Sequence, residues 1–344
     1  MMKSLRYIVL FFAILIYLGG CSSDVLRSYY NAGLIADDYR YGDLYRLSNL
    51  SQFKARQSAC PPGVPASSPR QPYHLYLLGD SFTEPGRISA ADFTASHYQY
   101  IHWDKPQNIQ LDTTKTNILI LETVERHFRE HFGRGVDELR VMADTTRQTN
   151  VKAASVSWTQ RIQDLETVFA TRESVNERLE NLLFSSDFFL WFKEIKAQLN
   201  YQWFERVNPK VTITPGGQHL LYGIDTDTST ISSSFTPLEQ TELNQLVDSV
   251  NHVAARYRKL GFDQVYLSII PNKTSILAYY LGEYNRLIDR VQRHPHLEVP
   301  IIDVYTPFRA SSSSVYELSD SHWNCQGRSI WLREVGKKLN SSPL

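Results

Sequence analysis

Short apolar runs punctuate a chain that is otherwise a mixture of polar and aromatic residues. YHLYLLG (73–79), NILILE (117–122), QVYLSII (264–270) and VPIIDVY (299–305) are each nearly continuous in apolar side chains and partly β-branched. That pattern predicts buried strands of a parallel sheet covered on both faces, because a strand with one face in water alternates with period two. Helical stretches separate the runs. ETVERHFREHF follows the second run. FTPLEQTELNQLVDSVNHVAARYRKLG precedes the third, with Thr236 predicted as N-cap, Pro237 at the first helical position, Glu239 completing a capping box and Gly261 just past the end. Near the C-terminus Trp331, Val335 and Leu339 recur at i, i+4 and i+8, the stripe of a helix packed by one face. Strands alternating with helices predict βαβ units in a doubly wound α/β domain with a parallel sheet.

Between about 132 and 236 the alternation breaks. WTQRIQDLETVFATRESVNERLENLL is polar and helical, FSSDFFLWFKEIKAQLNYQWF is aromatic, and TPGGQHLLYGIDTDTSTISSS is rich in Gly, Thr and Ser. This stretch reads as a largely helical insertion between two halves of the sheet. Phe188, Phe189, Trp191 and Phe192, clustered at mixed spacing, are expected to fill the insertion's own core; a cap over a site is the alternative. Asp225-Thr226-Asp227 opens like a calcium loop but lacks the glycine at the sixth position and the closing glutamate, so it is set aside. Ahead of the domain, residues 21–72 form a Tyr-rich polar leader ending in CPPGVPASSPRQP, whose Pro and Ser density marks a linker; the domain itself is placed at 73–344.

At 344 residues the chain can bury a large core. Its 36 basic and 36 acidic residues balance, which argues against a nucleic-acid binder tracking phosphates with a basic face. Apolar residues at 42% and aromatics at 12% exclude disorder along the whole chain. The first residues have the grammar of a targeting segment: Lys3 and Arg6, then apolar YIVLFFAILIYL (7–18), then Leu18-Gly19-Gly20-Cys21. The apolar stretch is shorter than the roughly 20 residues a spanning helix needs. The small-small-Cys ending resembles the lipobox of bacterial lipoproteins. That resemblance implies a signal peptide over 1–20, a lipidated Cys21 at the mature N-terminus, and attachment to a membrane of the bacterial cell envelope. Ser22 after the cysteine implies the outer membrane; an uncleaved short anchor is the alternative.

Two segments bring candidate chemistry. LYLLGDSFTE (75–84) places Ser81 directly after a buried run, and SDSHWNCQG (319–327) places Asp320 and His322 two residues apart. A serine hydroxyl needs a base to take its proton, and the base needs an acid to orient it. Asp320, His322 and Ser81 supply that set from opposite ends of an α/β pattern. Read singly, each segment is also a turn or a helix cap, since Gly, Asp, Ser and Asn serve both.

GDSF after a strand, with Asp-x-His near the C-terminus, resembles the SGNH (GDSL) hydrolase superfamily. His322-Trp323-Asn324-x-x-Gly327 stands where many members have His-Pro-Asn-x-x-Gly, and the Trp is similar to the DHHW proteins and the alginate-type O-acetyltransferases. The resemblance covers 73–131 and 237–340. It implies a flavodoxin-like three-layer α/β/α fold, Ser81 as nucleophile, His322 as general base and then acid, and Asp320 as orienter. It also implies no metal or other cofactor. The implied substrate is an O-acyl, chiefly O-acetyl, ester on an envelope or extracellular polysaccharide, with a membrane acyltransferase as acyl donor in a transferase. A lipase or carboxylesterase, and a non-catalytic glycan-binding lipoprotein on the same scaffold, are the alternatives.

This chain departs from the family where members carry a Gly and a Gly-x-Asn-Asp segment for the oxyanion hole; LETVER stands after its second strand. The Ser81 amide is one expected donor. Arg126 is a second candidate by similarity to a Glu-Arg pair in the acetyltransferases; an exposed helix arginine paired with Glu122 or Glu130 at i, i+4 is the other reading. Asp80 is a further candidate at the site. Trp323 stacks on a sugar or packs under its loop. Asn272 and Lys273, past the third run, lie where open α/β sheets place ligands, or else on a solvated loop. Cys60 and Cys325 form a disulfide if their segments meet, and are separate buried thiols if they do not.

Overall fold

The computed structural model describes residues 2–37, 39–57, 59–64, 67–105, 107–133, 139–141 and 172–341. In chain order the helices among them are α1 (Met2–Cys21), α2 (Ser23–Asn31), α3 (Asp43–Ser48), α4 (Glu125–Gly133), α5 (Arg172–Phe184), α6 (Asp187–Phe204), α7 (Gln240–Lys259), α8 (Lys273–Leu277), α9 (Leu287–Gln292), α10 (Tyr305–Ala310) and α11 (Cys325–Ser341). The strands are β1 (Gln71–Gly79), β2 (Ala95–His102), β3 (Gln107–Ile109), β4 (Thr116–Val124), β5 (Leu139–Val141), β6 (Val211–Ile213), β7 (Leu220–Tyr222) and β8 (Gln264–Ile270). Residues 1–54 and 145–207 form one compact unit, and 55–144 with 208–344 form a second.

The second unit is mixed α/β around a four-stranded sheet in the order β2-β1-β4-β8, parallel throughout. Alternate residues of each central strand go to opposite faces, and both faces are covered. On one, Leu75, Leu77, Ile118, Ile120 and Ile270 pack with Trp331, Val335 and Leu339 of α11. On the other, Tyr76, Leu78, Leu119, Leu121 and Leu267 meet Phe128 of α4 and Val247, Val250 and Tyr257 of α7. Burial on both faces is why these strands read as continuous apolar runs, and it is compatible with a three-layer α/β/α arrangement.

Three expectations about elements need correction. VPIIDVY adds a single parallel bridge, Ile301 to Leu267, rather than a strand, because Pro300 has no amide to donate and the chain turns into α10 at Tyr305. Helix α7 starts at Gln240 with Glu239 as N-cap; Thr236 does not cap it, since its hydroxyl donates to the carbonyls of Thr228 and Thr230. Its end is as expected: Gly261 has φ +110°, and the Phe262 amide reaches back to the Tyr257 carbonyl, the left-handed closure that glycine permits. The third correction is to the aromatic stretch. On α6, Phe188, Trp191 and Phe192 are 64, 54 and 50% exposed, and among its described residues only Leu190 is buried. The helix is held by polar contacts, Asp187 to Arg40 and Glu194 to Tyr45 and Lys54, while its rings meet one another edge to face in the open. Of the helical stretch predicted over 158–183, the part before Arg172 lies outside the described residues and the rest is α5.

Among the described residues no single helix is long and apolar enough to cross a membrane. In the first unit the Gly19-Gly20 pair of α1 lies against Leu182 and Leu179 of α5.

Cys60 and Cys325 are joined in a disulfide that spans 265 residues of sequence. A cross-link over so long a loop restricts the unfolded chain, so reduction is expected to lower stability by about 2–4 kcal/mol. Urea midpoints with and without a thiol reductant check this; equal midpoints would contradict it.

Candidate active site

Strand β1 runs out at Gly79, and Ser81 sits in the turn that follows, at the carboxyl end of the sheet where open α/β folds place their ligand sites. Only glycine fits at 79: a Cβ there would lie 2.2 Å from Thr83 Oγ1 and 2.6 Å from Glu122 Oε2. That crowding comes from a polar staple between the turn and β4. The Asp80 carboxylate accepts from the Phe82 amide (2.9 Å) and the Val124 amide (2.7 Å). Glu122 Oε2 accepts from the Asp80 amide (3.0 Å) and the Thr83 hydroxyl (2.6 Å). Burial, then the charge of Asp80, pushes the Glu122 carboxyl well up, against the pull of those two donors.

The Ser81 Oγ is 2.8 Å from His322 Nε2, and His322 Nδ1 is 2.5 Å from Asp320 Oδ1. An ionised carboxylate only accepts, so the contact with Asp320 keeps the proton on Nδ1 and leaves the Nε2 lone pair facing the serine hydroxyl. Burial works to raise Asp320, but hydrogen bonding and charge from His322, with Arg87 nearby, outweigh it and hold the carboxyl well below the usual carboxylate range. The loop bearing both residues is pinned at each end. Asn324 caps α11, its Oδ1 accepting from the Gln326 and Gly327 amides. Lys273 Nζ, buried past β8, donates to the carbonyls of Glu317 (2.6 Å), Leu318 (3.1 Å) and Asp320 (3.0 Å). The imidazole rests on Phe82, ring centroids 4.6 Å apart. The Ser81 amide has no hydrogen-bond partner among the described residues, which leaves it available to an oxyanion.

The four remaining binding candidates are scaffold. Arg126 is neither an exposed i, i+4 partner nor an open donor: its Nη1 clamps Asp225 at 2.8 and 3.1 Å in a buried pair, with Tyr222 against the guanidinium. Asp80 is buried in the staple just described. Trp323 is 3% exposed between Phe82 and Trp331, so it packs under the loop and presents no face to a sugar. Asn272 is fully buried, its side chain accepting from the Arg126 amide and donating to Ser234. Sequence reasoning missed Glu122 and the role of Lys273. Glu122 had left a signal, a lone carboxylate closing an apolar strand.

Next to Arg126, Glu125 is buried and accepts from the Asn272 amide, Ser275 and Tyr284. Burial pushes its carboxyl up to about 7 in spite of those donors. The folded chain therefore keeps a proton that the unfolded chain loses near its ordinary value of 4.5. Stability from that proton is complete below pH 4.5 and fades as pH rises through 7, with a slope of up to about 1.4 kcal/mol per pH unit. Urea midpoints from pH 5 to 8 should fall in the wild type and flatten in Glu125→Gln; equal slopes would contradict the assignment.

No family model, no curated protein and no solved structure matches this chain.

Proposed function

We propose that this chain is an SGNH-type serine O-acyl, chiefly O-acetyl, esterase or transferase acting on an envelope or extracellular polysaccharide through an acyl-serine intermediate. One observation carries the reading: the unbroken line Ser81 Oγ, His322 Nε2, His322 Nδ1, Asp320 Oδ1, with contacts of 2.8 and 2.5 Å. In it Ser81 Oγ attacks the acyl carbonyl while its proton passes to Nε2. The tetrahedral oxyanion takes the Ser81 amide, and collapse expels the leaving alkoxide, which receives the proton from Nε2. An acceptor hydroxyl then gives its proton to Nε2, attacks the acyl-serine and restores Ser81. Water as acceptor makes an esterase; a sugar hydroxyl makes a transferase, with a membrane acyltransferase as the upstream donor. Lipidation of Cys21, a half-exposed free thiol, places the protein on an envelope membrane.

The test is a chase. Protein carrying labelled acetyl is mixed with water alone or with polysaccharide, and the label is followed; label on glycan identifies a transferase, label in free acetate an esterase, and label lost to neither removes the reading.

A lipase or carboxylesterase is the second reading, favoured by the exposed rings of α6. It predicts rates that rise with acyl chain length, and a preference for acetyl esters over octanoyl esters would exclude it.

A further inference from the structure

The described residues between Ala55 and Gly63 form no helix or strand, yet their polar groups converge on the segment that bears the base. The Ala55 carbonyl accepts from Ser319 Oγ (3.0 Å). Gln57 Nε2 donates to Asp320 Oδ2. Cys60 is bonded to Cys325, the first residue of α11. The Pro61 carbonyl accepts from Arg328 Nη1 (2.8 Å), and the Gly63 amide donates to Asp92 Oδ1 (2.7 Å), the carboxylate that Arg328 also grips. Residues 319 to 328 are thus held from outside the sheet by one irregular strap.

The contact of Gln57 bears on chemistry because of which oxygen it takes. Asp320 Oδ1 accepts from both the Nδ1 and the amide of His322. A carboxylate held at one oxygen still rotates about its terminal torsion, which is broad and soft. Held at Oδ2 as well, it is fixed in plane, and the direction of the hydrogen bond to His322 is fixed with it. A carboxamide suits the task, since its N–H donates without placing a second charge beside Asp320.

We propose that Gln57 is a positioning residue of the Asp320–His322 pair, and that the Cys60–Cys325 disulfide is the tether that keeps it there. The inference rests on the catalytic reading of Ser81 for its kinetic consequence, while its geometric content stands apart from that reading. Gln57 orients the acid, the acid orients the imidazole, and the tether makes the order of that chain independent of any helix or strand around Gln57. Misplacement of a reacting group by a fraction of an ångström to 1 Å is a loss of up to about 100-fold in rate.

The test uses the full chain and two readouts. Gln57→Glu keeps the shape and removes the donor; Gln57→Ala removes both. Each is expected to lower kcat toward an activated acetyl ester by about 10- to 100-fold with KM nearly unchanged. Each should also shift the low-field proton resonance of His322 Nδ1, with circular dichroism as in the wild type. The Cys60→Ser/Cys325→Ser variant should show the same shift and loss, and adding Gln57→Ala to it should lower kcat no further, the non-additivity expected of groups acting through one contact. Wild-type kcat and an unmoved resonance in both Gln57 variants would overturn the positioning role, and a full multiplicative loss in the triple variant would overturn the tether. If the wild type takes no acetyl group, the catalytic reading falls, and the His322 resonance alone still decides whether Gln57 orients the pair.

Discussion

Ser81→Ala is expected to lower turnover of an activated acetyl ester by about four orders of magnitude or more, with stability changed by no more than about 0.5 kcal/mol. The size follows from what the substitution leaves. His322 would face a methyl group instead of the hydroxyl 2.8 Å from its Nε2, so the base has nothing to deprotonate. The Ser81 amide persists, and binding with oxyanion stabilisation alone sets the residual rate. Stability barely changes because Ser81 is only half-buried and the staple around it, Asp80 to Val124 and Glu122 to Thr83, does not involve its side chain. Steady-state hydrolysis and a urea titration on the same preparation check both halves. A variant retaining a tenth of wild-type turnover would remove Ser81 from the mechanism.

The second large effect is on stability. Arg126→Met is expected to lower it by about 3–5 kcal/mol, because it takes the guanidinium away from an Asp225 that is wholly out of water. Arg126→Met/Asp225→Leu should recover most of that loss, since replacing both members of a buried pair by apolar groups of similar volume is often neutral. The pair also decides what Arg126 is for. A donor to the oxyanion would lose about 100- to 1000-fold in kcat on substitution, and the double variant would not regain it. Recovery of both stability and kcat in the double variant is the outcome expected of scaffold; loss of kcat without loss of stability would restore the catalytic role.

The central strands were legible because burial on both faces writes a continuous apolar run, and β1, β4 and β8 fall on YHLYLLG, NILILE and QVYLSII. Strand β2 escaped notice for the converse reason. ASHYQYIH stands at the edge of the sheet, only Ala95 and Ile101 are buried in it, and its Tyr, His and Gln residues carry no apolar run. The α6 aromatics misled because ring clusters usually signal a core, whereas here Arg40, Lys54 and Tyr45 anchor the helix through its acids.

At the site, Ser81, Asp320 and His322 were readable because an activated serine demands the other two. The supports were not. Gln57, Lys273 and Asp225 act through polar contacts that reach across 263, 47 and 99 positions of sequence, and a long-range hydrogen bond leaves no period behind it. Arg126 looked like one more charge on a charged helix, and only the location of Asp225 distinguishes it.

The most direct measurement is the intact mass of the protein mixed briefly with an activated acetyl ester and quenched in acid, followed by peptide mapping. One acetyl group on the wild type, mapped to Ser81 and missing from Ser81→Ala, is the predicted result. An unlabelled wild type, or equal labelling of both proteins, would contradict the account.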